Sequence, residues 1–144
     1  MSRSGALAQI DTLLAAISDP AFVAVYRGEP LAISGTPVLA YWLTGRRESF
    51  ETLGDVGSVV TVTVRAYFRM QDSADVRESI EEEVWDAMYQ IDSQLRSDAD
   101  LGGNVTDSSV GAATVGYQNM SGGVFRTVTV PYEMELMGEV TITP

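Results

Sequence analysis

The side chains able to do chemistry in this 144-residue chain are twenty carboxylates and nine arginines; histidine, cysteine and lysine are absent. That inventory removes Ser-His-Asp and Cys-His nucleophiles, Schiff-base lysines and the phosphate-gripping lysine of a P-loop. What survives is a carboxylate pair acting as general acid and base, or a metal held by oxygen ligands. The best local grouping is Asp98, Asp100, Asn104 and Asp107 around Gly102-Gly103. Against a calcium loop it places Gly102 where an Asp or Asn ligand belongs and Ser109 where the bidentate Glu belongs, so it reads as solvated turn residues. No catalytic, cofactor-binding or metal-binding residue is assigned, and the expectation is a protein that is not an enzyme.

A second group points to assembly. Across Asp72 to Ser97 the apolar residues Val76, Ile80, Val84, Ala87, Met88, Ile91 and Leu95 recur at helical spacing and form a core stripe. Trp85 and Tyr89 fall on the other side, among Glu78, Glu81, Asp92 and Arg96. Aromatics set among charges are the composition of a protein interface; the alternative is that both rings fold over the core margin or lie beneath a loop. Glu82 faces Glu78 and Asp86 at i,i+4 spacing, a like-charge strain of a few tenths of a kcal/mol per pair. Arg65, Arg69 or Arg126 of a neighbouring subunit would offset it, and solvation alone would also suffice. The expected subunit interface is therefore Trp85, Tyr89, Arg65, Arg69, Glu78 and Glu82.

The elements that must position these residues follow from periodicity. Leu7, Ile10, Leu13, Leu14 and Ile17 predict a first helix ending at Asp19-Pro20. Strands are expected over 21–27 and 38–43, then a long exposed loop over 44–57 with five charges and three glycines. The run Ser58 to Met70 alternates, with Val60, Val62, Val64, Ala66, Phe68 and Met70 opposite Thr61, Thr63, Arg65, Tyr67 and Arg69. After the second helix and the Leu101-Gly102-Gly103 turn comes a hairpin: a strand near 112–118, a turn at 120–123, and a long strand over 124–137. Pro131 marks an edge or a bulge in that last strand. The fold class is α+β: a mostly antiparallel twisted sheet of about four to five strands packed on two helices. One domain spans residues 1–144, with 138–144 as an extended C-terminal tail.

Composition bounds the partners. The net charge of −11 disfavours direct binding of phosphate backbones, and Arg46-Arg47 is the only adjacent basic pair. No stretch has the roughly 20 consecutive apolar residues of a membrane span, and the N-terminus lacks a secretory pattern, so cytoplasmic synthesis is expected.

The order of elements, with VTVTVRAYFRM at 60–70, RESIEEEVWDAMYQIDSQL at 77–95 and DLGG at 100–103, resembles the tail terminator (tail completion) proteins of long-tailed bacteriophages and related gene-transfer particles. The resemblance spans most of the chain and rests on patterning more than on a strict motif. It implies a small virion subunit, made in the host cytoplasm, that forms a ring of six at the tail-head junction. Such a ring caps the tail tube, stops its polymerisation and joins it to the neck or head while DNA passes through. The implied partners are further copies of the chain, a tail tube protein and a head-completion or neck protein. Local chemistry makes Arg46, Arg47, Glu48 and Phe50, with Ser121 and Gly122, candidates for gripping the tube or the head. Another head-tail joining or tube protein of the same particle is the nearer alternative; a carboxylate enzyme or small-ligand binder is the alternative of another class.

Overall fold

In a computed structural model, residues 3–52, 55–71, 73–121 and 123–141 are described. Helix α1 (Arg3–Ala15) is followed by strands β1 (Ala24–Arg27), β2 (Val38–Thr52) and β3 (Asp55–Arg69), then helix α2 (Ala74–Arg96) and strands β4 (Asp107–Val110), β5 (Thr114–Met120) and β6 (Gly123–Thr141). The fold is α+β. The sheet runs β1-β2-β3-β6-β4, with β5 also pairing β6. It has six strands where four to five are expected from sequence. The pairings are antiparallel except β1 with β2, which is parallel.

The alternation read from 58–70 decides the layering. Val60, Val62, Val64, Ala66 and Phe68 of β3 join Val128, Val130, Tyr132, Met134 and Leu136 of β6 in one core. Ile10 and Leu14 of α1 and Ile80, Val84, Ala87, Ile91 and Leu95 of α2 close over it, so both helices lie on one face. The opposite face was expected to be polar, yet Tyr67 is fully buried there. A small second core of Val38, Ala40, Tyr67, Phe125 and Ile33 explains it, because the segment after β1 folds back over that end of the sheet. Alternation shows which residues share a face but not what later covers them.

The expected loop over 44–57 is a correction. Residues 45–52 of β2 pair with 55–61 of β3 after a register shift at Thr44, so Arg46, Arg47, Glu48 and Phe50 lie on a strand. A strand segment with polar residues on both sides lacks the period-two apolar signal, and so it reads as loop from sequence. β6 accompanies this arm: Val140 pairs Val56 and Thr141 pairs Asp55. Residues 138–141 thus belong to a strand, and 142–144 lie outside the described residues.

Pro131 is not on an edge strand, since Thr63 of β3 pairs it from one side. On the other side its carbonyl accepts the Gly111 N–H at 2.8 Å, in the gap between β4 and β5. In a strand a residue's N–H and C=O point the same way. The missing donor therefore faces the interruption and costs the ladder nothing.

Candidate functional site

Helix α2 begins after Ser73 and ends at Arg96, whose guanidinium holds Asp92 one turn back at 2.9 Å. Its inner stripe is buried as the spacing predicts, with Val76 and Met88 packed at the margin. Trp85 is 73% exposed and Tyr89 68%. Both rings stand beside an open groove of about 420 Å³ that runs between α2 and residues 110–113, the link from β4 to β5. Met88, Val110, Ala113 and Val130 give the groove an apolar floor, and Asp92 with Arg96 forms its polar end. Gly111 sits there because its position is crowded: a Cβ would come within 2.7 Å of the Pro131 ring.

Glu78 and Glu82 are exposed on the same helix, which carries seven carboxylates against two arginines. Arg65 and Arg69 do not join them. They project from the sheet face opposite the helices: Arg65 donates to Thr129 Oγ1 at 2.8 Å and Gln118 Oε1 at 3.1 Å and covers the Trp42 ring, while Arg69 lies over Phe125. Arg126, one of the three arginines that could offset a neighbour's acids, is used within the chain. It bonds Glu81 of α2 at 2.8 Å and packs 4.5 Å from the Tyr117 ring of β5, fastening the helix to the sheet margin. Spacing along one strand cannot reveal that a partner acid stands above it on another element.

The strand residues Arg46, Arg47 and Glu48 are exposed on the β2–β3 arm, where Arg47 reaches Glu133 at 3.4 Å. Ser121 is at the other end of the sheet, bridging to Ala32 beside the β5–β6 turn. Gly122 lies outside the described residues, and of Phe50 only the backbone is described.

The carboxylates around Gly102-Gly103 separate. Asp98 accepts from Gln9 at 3.0 Å, Asn104 donates to the Leu101 carbonyl at 2.8 Å, and Asp107 enters β4 opposite Glu135. The turn places Leu101, Gly102 and Gly103 successively at positive φ, with buried Leu101 held there by the core. Among the described residues no group of three or more acidic side chains is arranged to hold a metal.

One acid on α2 is strained. Burial, reinforced by Asp19 and Asp86, raises the Glu83 carboxyl above its ordinary range. An acid whose folded pKa is raised contributes stability at low pH and loses it as pH rises through that pKa. Glu83→Gln should therefore raise the urea midpoint at pH 7. The gain should fade below about pH 4, where the carboxyl is protonated in both states. Equal midpoints for the two chains at pH 7 would show the strain to be negligible.

No family model matches the chain, and no curated protein matches it either.

Proposed function

We propose that this chain is a structural subunit that associates with copies of itself through the outer side of α2, forming a closed ring that terminates the tail tube of a long-tailed phage-like particle. The observation that carries the reading is Trp85 and Tyr89 standing exposed beside an apolar groove on a strongly acidic helix. Large rings in water are costly surface for a lone subunit, and aromatic anchors flanking a groove are what interfaces use. Net charge supports the passage of DNA: six copies at −11 each repel a phosphate backbone and let it move without adhering. The two candidate gripping regions also fit, because the β2–β3 arm and the β5–β6 turn lie at opposite ends of the sheet, as tube-facing and head-facing surfaces would.

Catalysis is left out of this reading. The groove offers one carboxylate, Asp92, already bonded through both oxygens by Arg96, whereas two-carboxylate glycoside hydrolysis needs a second at a set distance.

Native mass measurement across a concentration series, with negative-stain imaging of purified tube ends, tests the proposal. The expected result is one closed oligomer and capped tubes. A chain that stays monomeric throughout and leaves tube ends bare would overturn it.

A further inference from the structure

The sheet has two margins with unpaired stretches; that of β2 is guarded by charge and a register shift, and that of β5 is not. On one side β1 covers only Val38–Tyr41 of β2. Gly28 donates to the Tyr41 carbonyl at 2.8 Å, which fixes the odd residues of this stretch as the ones whose backbone groups turn outward. Leu43 is the next, and after the shift at Thr44 the outward set becomes Arg46 and Glu48. None of these has a strand partner on that side among the described residues.

On the other side β4 and then β5 flank β6, β5 is outermost over 114–120, and Ala32 bridges Ser121 just past its end. Pro131 accepts from Gly111 on the outer side of β6, so Thr129 and Thr127 also face outward and bond Thr114 and Gly116 of β5. Val115, Tyr117 and Asn119 must then turn their N–H and C=O groups away from the sheet. Proteins protect such edges with charge, proline or a bulge. The sequence TVGYQNM has no charge and no proline, and its register with β6 is unbroken over 114–120. Val115 is 37% exposed and Tyr117 63%.

We infer that the β5 edge is a docking strand for a second copy of this chain, and that the strand it receives is the free part of β2, with Leu43, Arg46 and Glu48 supplying the outward backbone groups. The inference rests on the ring reading and names the surface that meets α2. Strand direction permits it. β2 and β6 run one way and β3 and β5 the other, so β5 against a neighbour's β2 makes an antiparallel pair and keeps the alternation.

Side-chain placement favours it as well. Leu43 pairs Val62 and Arg46 pairs Val60, so both side chains project on the helix face of the sheet, as do Val115 and Tyr117. Added to β5 with Glu48, Arg46 and Leu43 opposite Val115, Tyr117 and Asn119, the neighbour's strand would cover the exposed edge of Val115 and Tyr117 and give Leu43, 46% exposed in the single subunit, a strand beside it. Its Arg46, which approaches Glu48 at 4.0 Å in its own subunit, would come to the side where α2 carries its carboxylates, so that Arg46 serves this contact rather than the grip on the tube or head. The two margins differ, so the contact is head-to-tail and generates a ring when the rotation closes. Gly116 is level with Thr127, Tyr67 and Val38, while the free part of β2 lies farther along the strand. Each junction is thus staggered, as strands in a closed barrel are.

Hydrogen exchange followed by mass spectrometry on the assembled and the diluted full-length chain tests this. Amides in 42–48 and in 114–120 should both exchange about tenfold or more slowly in the oligomer. Asn119→Pro, which removes an outward N–H without touching the β6 ladder, should give a folded chain by circular dichroism that no longer assembles. An oligomer whose β5 amides exchange at the monomer rate overturns the inference and leaves the ring standing. Protection of 114–120 without 42–48 overturns the choice of β2 as occupant, and wild-type assembly by Asn119→Pro overturns the edge contact. A chain monomeric at every concentration overturns both this and the ring.

Discussion

Trp85→Ala should leave the subunit folded and weaken its self-association by about thirty- to a thousandfold, the range of a 2–4 kcal/mol anchor. The two halves of that expectation have separate causes. In the isolated chain the ring is mostly in water, so its removal strips little packing, and surface changes of this kind stay within about 0.5 kcal/mol. Alanine is moreover the better helix former, so the urea midpoint should hold or rise slightly. In the oligomer the same ring is expected to fill a pocket against the neighbour, where truncation leaves a void in dry surface. Trp85→Phe should retain part of the affinity, and Tyr89→Ala should weaken association in the same sense. Sedimentation velocity across a dilution series reads the constant. Association unchanged by Trp85→Ala would remove α2 from the interface, whatever the oligomer proves to be.

Periodicity revealed the parts of the structure where one side of an element is buried. The β3 alternation and the α2 stripe each repeat an apolar residue at the element's own period, so both faces and the outward placement of Trp85 and Tyr89 were legible. The β2–β3 arm was not, because Arg46, Arg47 and Glu48 offer no apolar face. Strand β4 was missed for a related reason: Asp107–Val110 is four residues long and three of them are polar. The groove beside Tyr89 is built by residues 110–113, more than twenty positions from Tyr89 along the chain, and no spacing within α2 announces it. The roles of Arg65 and Arg126 were equally hidden, since both are decided by what another strand or helix places over them.

The largest expected loss of stability lies at Phe68, and it separates folding from assembly. Phe68 is almost wholly buried in β3 on the helix face, with the Phe22 ring centred 6.1 Å away. Phe68→Ala removes most of a large side chain from close-packed surroundings that relax only in part, at a cost of about 3–5 kcal/mol. Against a total of roughly 5–15 kcal/mol for a domain, that is a large share, and Tm should fall by about 10 °C or more. Phe68→Leu should recover over half of the loss, because the cavity is then small. The consequence extends to α2. Phe68 is level with Arg126 in the β3–β6 ladder, and Arg126 ties Glu81 of the helix to the sheet. If subunits associate only when folded, mass action gives the wild-type chain and Phe68→Ala a Tm that rises with protein concentration. Trp85→Ala should show a Tm near wild type at low concentration and little rise thereafter. A concentration-independent Tm for the wild-type chain, over a range where native mass shows oligomer, would mean that association adds nothing to the folded state. The exposed aromatics of α2 would then need another partner.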